Sequence, residues 1–279
     1  MLQNQRIIHS DDGTEKDYSI ALSDFRSDSA TLPIVAADDY LIIAADYPFN
    51  HRYFLIDTPN DQASGVSVQI WWGNAWYDAV DVVDQTDDAG VTFAQSGIIE
   101  WKTDRLKGWD IELDSDDVTD VSAVGIYNMY WLRLVFSGDL KASTAVKYVG
   151  HRFSDDTTLY TYYPDLDNTK ILLAFAATKT TWDTQHFMAA ETIIEDLRQR
   201  NIALSPNQIL DYRMFERASV HKCAELIYHG MGRAYNDNRK AAAEYYKAEM
   251  NKAFFNIDRN KNALLEPREK EISVRYMSR

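Results

Sequence analysis

The hydrophobic period of this chain changes partway along, from two residues to about 3.6, and no other feature constrains the fold more. In the first half, Val66, Val68, Ile70 and Trp72 alternate with Ser67, Gln69 and Trp71, as in a strand with one buried face. Gly73-Asn74 follows as a hairpin-turn dipeptide, and Trp76-Tyr77 with Val80 to Val83 read as the return. Further strands are expected at Tyr40–Ala45, Arg52–Ile56, Val91–Phe93, Ile98–Trp101 and Tyr130–Phe136, separated by turn signals such as Asp46-Tyr47-Pro48 and Ser137-Gly138-Asp139. In the second half, Phe187, Ala190, Ile194 and Leu197 fall on one helical face behind Asp183 or Thr184 as cap. Ser205-Pro206-Asn207-Gln208 has the spacing of a capping box opening a second helix that Gly230 and Gly232 end, and Asn236 or Asp237 starts a third. The run 170–177 is short and apolar, and its period fits a helix or a buried strand.

The expected fold class is therefore α+β in two domains: an N-terminal antiparallel β-sandwich over 1–150, then a C-terminal α-helical bundle over 151–263. Residues 1–37 read as a poorly defined arm holding at most a first strand, and 264–279 as a tail. Hydrophobic residues make up 46% of the chain, enough for two cores, which excludes a disordered protein. A single cysteine, Cys223, excludes an internal disulfide and suits a reducing compartment of synthesis. The opening MLQNQRIIHSDDG is not expected to act as a signal peptide, and no apolar run is long enough for a membrane span.

Charge divides the halves as well. Residues 1–150 carry 25 acidic and 10 basic side chains, residues 151–279 carry 18 and 19, and the whole chain has a formal charge of -14. A surface this acidic does not hold nucleic acid by counterion release.

Few motifs carry chemistry. There is no phosphate-binding glycine loop and no GxSxG elbow. His221 and His229 share a helical face but stand about 12 Å apart along the axis, too far for one metal ion. Asp258, Asn260, Asn262 and Glu269 match the calcium-loop pattern D-x-[DN]-x-[DN]-G-x5-E, with Glu266 as an added carboxylate, but Ala263 stands where the pattern needs glycine. The loop is a candidate calcium site, weighed against a plain polar turn after a helix. Trp71, Trp76 and Tyr77 are a candidate aromatic contact surface, although alternation sends Trp71 and Trp72 to opposite faces. Acid pairs such as Asp87-Asp88 have no convergent partner and read as solvated loops, so no catalytic residue is assigned and an enzyme is not expected.

The stretch 162–258 resembles the helical head–tail adaptor (connector) proteins of tailed phages. The residues that carry the likeness are Tyr162 to Asp165, Lys179 to Trp182, the helix holding Glu191 to Leu197, Ile209-Leu210-Asp211, the run Ala218 to Tyr228, and Tyr245 to Met250. Residues 40–150 look like a β-sandwich module fused to phage structural proteins, through Phe49 to Phe54, Val66 to Trp76 and Tyr130 to Leu134. The resemblance implies a homo-oligomeric ring, typically of twelve copies, in the neck of the virion. There it would join the portal protein to a downstream neck or tail protein, after assembly in the host cytoplasm. An acidic conduit wall would let genomic DNA pass without binding it. The tail carries Arg268, Lys270, Arg275 and Arg279, with Ile272, Val274 and Tyr276 alternating among them, and is expected to dock on the portal as an added strand. A host-recognition or carbohydrate-binding sandwich built on the tryptophan cluster is the alternative from another class.

Overall fold

A computed structural model describes residues 5–36, 38–104, 106–112, 129–252, 256–264 and 269 of the chain. It falls into two compact units. The first contains two antiparallel sheets packed as a sandwich within residues 5–150, and the second is helical.

The strands of the first unit are β1 (Gln5–Asp11), β2 (Thr14–Asp17), β3 (Ala30–Thr31), β4 (Asp39–Ala45), β5 (His51–Thr58), β6 (Val66–Trp72), β7 (Ala75–Asp78), β8 (Val80–Asp84), β9 (Gly97–Lys102), β10 (Ile111–Glu112), β11 (Met129–Phe136) and β12 (Ala145–Gly150). One sheet runs β2-β1-β4-β11-β6-β7, with β10 also on β11, and the other runs β3-β12-β5-β9-β8. The Gly73-Asn74 hairpin forms as expected. Trp72 pairs with Ala75, and both loop residues have positive φ (56° and 60°), the type I′ geometry that matches strand twist.

Between the sheets lies one apolar layer. Ile7, Ile43, Leu132, Leu134, Val68 and Ile70 enter it from the first sheet, and Phe54, Ile99, Val146 and Val149 from the second. The first sheet also buries part of its other face. Ile8, Ile42, Ala44, Trp71 and Trp131 form a separate cluster there, with Tyr40, Trp76 and Met129 packed against it.

The amino-terminal region is more ordered than expected. β1 pairs with β4 over seven residues, Gln5↔Ala45 to Asp11↔Asp39, and is an internal strand of its sheet rather than an arm. A short helix, α1 (Ser19–Leu22), follows β2, and Ser19 Oγ accepts the Ile7 N–H at 2.9 Å. Val91–Phe93 is not a strand. Phe93 has φ +61°, outside the extended region, and Val91 makes only an isolated bridge to Ser64.

The helical unit begins at His151. Its helices are α2 (Asp156–Tyr162), α3 (Thr169–Phe175), α4 (Asp183–Gln199), α5 (Glu216–Gly230) and α6 (Asn236–Lys252). Asp155 closes a capping box on α2 with Thr158, and Asn168 accepts the Lys170 N–H at the start of α3. The run 170–177 is thereby resolved in favour of a helix. The capping box at Ser205 and Gln208 forms too, but it opens a single 3-10 turn, Pro206–Gln208, instead of a long helix. Ile209 leaves that turn extended (ψ 99°) and bridges to Ile257, so helical geometry resumes only at Tyr212–Phe215 and continues as α5. Trp182, Val220, Cys223, Ile227 and Tyr228 are the buried centre of this unit.

Asp258–Leu264 belong to the first unit, and Ala263 contributes to the sandwich core. The chain therefore leaves the sandwich at Gly150 and returns to it after Ile257. Among the described residues, no helix is long and apolar enough to cross a membrane.

Candidate functional site

The aromatic trio of the sandwich does not form one surface. Trp71 lies opposite Trp76 and Ile70 opposite Tyr77 in the β6–β7 register, so Trp71 and Trp76 share one face of the sheet while Tyr77 lies on the other. Trp71 is 2% exposed, with its ring 5.3 Å from that of Trp76. The expectation of a contact surface made by all three is thus corrected: pairing register splits them, and Trp71 is spent on packing. Arg133 lies over the rings of Tyr40 and Trp76, at 4.2 and 4.8 Å from their centroids. Its Nε donates to Gln69 at 2.7 Å, and Gln69 donates in turn to Asp78. One face of each of these two rings is thus covered by the protein's own cation.

An open groove of about 350 Å³ lies between Gly65–Ser67 and Val135–Ser137. Among the described residues, its lining is Gly65, Val66, Ser67, Val135, Phe136 and Ser137, none of them titratable.

The calcium-like loop folds on itself. Asp258 is fully buried, and its two carboxylate oxygens accept the N–H groups of Lys261 (2.8 Å) and Ala263 (2.9 Å). Asn260 accepts from the Asn262 N–H, and Asn262 from that of Leu264. Ala263 takes φ +57°, the conformation for which the calcium pattern uses glycine. Among the described residues, no group of three or more His, Cys, Asp or Glu side chains is arranged to hold a metal ion. Glu269 is buried, and Glu266 lies outside the described residues. The tail residues Arg268, Lys270, Ile272, Val274, Arg275, Tyr276 and Arg279 also lie outside them.

Two polar clusters of the helical unit were not foreseen. The first is buried. Ser154 Oγ stands 2.8 Å from His186 Nδ1 and 2.7 Å from Ser219 Oγ, and His186 Nε2 stands 3.1 Å from Asp156 Oδ1. The residue types are those of a hydrolytic triad, but His186 and Ser219 are fully buried and Ser154 nearly so. A nucleophile needs access to substrate, and this hydroxyl has none. The cluster joins the stretch before α2 to α4 and α5.

The second cluster is at the surface. Tyr163 OH donates to His221 Nδ1, or accepts from it, at 2.8 Å. The rings of Tyr162, Tyr163 and Tyr245 lie 5.7, 5.7 and 5.3 Å from that of His221. Burial, together with Tyr245 and Asp165, pushes the Tyr163 hydroxyl up to about 12, so it stays protonated. Burial lowers His221 below its ordinary value, against Glu249 and with Arg217. Tyr163 and His221 are thus neutral near pH 7, and the outer members of the cluster are open: Tyr245 is 57% exposed and Tyr162 40%. Tyrosine is among the residue types enriched at protein interfaces. Tertiary packing of α2, α5 and α6 assembles the cluster; in the sequence its traces are the doubled tyrosines 162–163 and 245–246.

A scan against protein-family models, a search of curated proteins and a search of solved structures each find no match to the chain.

Proposed function

We propose that this chain is a structural, non-enzymatic subunit of a tailed-phage neck, which closes with copies of itself into a ring between the portal and the next neck or tail protein. The reading starts from the resemblance of residues 162–258 to helical head–tail adaptors. The observation that carries it furthest is the exposed Tyr162–His221–Tyr245 cluster on the helical unit, where the resemblance lies. A ring of identical subunits needs a heterologous patch on each copy, and a desolvatable aromatic group is a suitable anchor for one. The excess of acidic side chains in residues 1–150 suits a wall past which DNA slides. In this reading the tail from Arg268 to Arg279 grips the portal, and the protein ends up in the virion. A carbohydrate-binding reading would have to use Trp71 with Trp76 or Trp72 with Tyr77, since the pairs stand on opposite faces of the sheet.

Native mass spectrometry of the full chain, alone and with portal-bearing heads, tests the proposal. A closed oligomer is expected, with a mass that is a multiple of 32.1 kDa. The double substitution Tyr162→Ala, Tyr245→Ala should shift it to monomer without changing the circular dichroism. A chain that stays monomeric at all concentrations, and on heads as well, rules the ring out. Deleting residues 270–279 should leave the oligomer intact and weaken its attachment to heads.

A further inference from the structure

The buried cluster around His186 has a defined proton arrangement. Asp156 can only accept, so His186 Nε2 carries a proton toward it. A neutral imidazole then accepts at Nδ1, so the Ser154 hydroxyl donates to His186. That leaves the Ser154 oxygen to accept from Ser219. The chain Ser219–Ser154–His186–Asp156 thus runs in one direction from α5 through the stretch before α2 and α4 to α2. Asp156 also accepts the Trp182 N–H, at 3.2 Å to each oxygen, which ties the first turn of α2 to the start of α4. Arg152 completes the knot: its Nη1 stands 2.7 Å from Asp183, and its Nε donates to the Ser154 carbonyl at 2.7 Å.

We propose that this cluster is an acid-sensitive latch, in which neutral His186 holds residues 151–156 against α4 and α5 and protonated His186 releases them. A proton arriving at Nδ1 turns that atom from acceptor to donor, so both serine hydroxyls must reverse. It also places a charge at a position with no solvent exposure. The groups that face it are Asp156 from α2, Arg152 from the stretch before α2 and Asp183 from α4; Tyr160 from α2, Lys179 from the loop before α4 and Cys223 from α5 interact with Asp156. Of these only the two aspartates favour the imidazolium. Asp183 is already paired with Arg152, and the Arg152 guanidinium opposes a second positive charge. Opening lets water solvate the imidazolium instead.

Burial dominates and holds His186 below its ordinary value. The unfolded or opened form therefore binds the proton first, and closure weakens as pH falls below about 6.5. Burial alone would raise Asp156, but the hydrogen bonds from His186 and the Trp182 N–H keep it below the usual carboxylate range. Its contribution to closure is lost at still lower pH, so both groups act in the same direction.

Mass spectrometry of the full-length protein between pH 4.5 and 7.5 tests the latch. Exchange at the imidazole C2–H gives the titration of each histidine, and amide exchange corrected for intrinsic rate gives the opening of peptides covering 151–162 and 179–187. The expected result is that His186 titrates below the ordinary histidine value of about 6.5, and that both peptides lose at least tenfold in protection over that same range. His186→Gln keeps an amide donor toward Asp156 and cannot titrate, so its peptides should stay closed until Asp156 itself protonates. The proposal is overturned if His186 titrates at or above the ordinary histidine value of about 6.5, if the peptides stay protected while it titrates, or if the glutamine variant opens at the same pH as the parent. Should that variant fail to fold, the coincidence or separation of the two wild-type transitions still decides.

Discussion

Trp131 and Leu132 are consecutive residues of β11, and both are fully buried, one on each side of the same sheet. Leu132 enters the layer between the sheets, and Trp131 packs with Ile8, Ile42, Ala44 and Trp71 on the outer side. Removing either side chain leaves a cavity in a packed layer. Trp131→Ala is expected to cost about 3–5 kcal/mol, and Leu132→Ala about 2–5. Denaturant unfolding followed by near-ultraviolet circular dichroism measures both. A loss below about 1 kcal/mol for Trp131→Ala would show that the outer cluster is loosely packed.

Gly97 opens β9 where the segment after β8 passes close by. A Cβ there would overlap the Gln85 carbonyl and lie 2.9 Å from the Thr86 nitrogen. Main chain cannot swing aside as a side chain can. Gly97→Ala should therefore destabilise the sandwich by about 1–3 kcal/mol, which a urea midpoint reads directly. An unchanged midpoint would mean that the two segments are not held so close.

The end of α4 predicts a gain and a loss at one position. Ile202 N–H bonds to Leu197 O and Asn201 N–H to Arg198 O, a Schellman motif with Asn201 at φ +54°. Glycine adopts that conformation without steric cost, and a β-branched residue does not. Asn201→Gly should leave the helical unit equal or up to about 1 kcal/mol more stable, and Asn201→Val should cost about 1–2 kcal/mol. In thermal melts the valine variant should fall below the parent and the glycine variant should not. A valine variant that melts with the parent would remove the motif from the account.

Alkaline pH should act on the helical unit through its tyrosines. Burial, with nearby acids, raises Tyr160 and Tyr163 to about 12, and burial with a hydrogen bond to a carboxylate raises Tyr228 and Tyr246 further. Their folded values lie above the unfolded value of about 10, so the stability they give is complete below pH 10 and falls as pH rises past it. Absorbance at 295 nm should show a late class of tyrosines that ionises together with loss of helical signal. Ionisation of every tyrosine near pH 10 with the helices intact would contradict this.

Much of the fold was legible because local chemistry and packing agreed. The Gly73-Asn74 turn, the alternation of β6 and the start of α6 at Asn236 each follow from a few neighbouring residues, whereas Asp183, expected to cap α4, lies inside it, and the N-cap residue Trp182 makes no side-chain cap bond. β1 was not legible as an integral strand because its middle is buried on both faces: Ile7, Ile8, His9 and Ser10 carry no alternation to read. The capping box at Ser205 was read correctly as chemistry and wrongly as a long helix, because Ile209 takes an extended conformation to meet Ile257, far along the chain. The two polar clusters of the helical unit were invisible for a related reason. Ser154, His186 and Ser219 each look like an ordinary helix or loop residue until tertiary packing brings them within 3 Å.

The return of Asp258–Leu264 to the sandwich makes that unit discontinuous in the chain. A gene fragment ending at codon 150 would encode all the named strands yet omit Ala263, a residue of the sandwich core, and the turn that Asp258 closes. Anyone wishing to express the sandwich by itself should splice 258–264 onto Gly150 through a short linker. A protease that cuts once between α2 and α6 would leave two fragments that both carry sandwich residues.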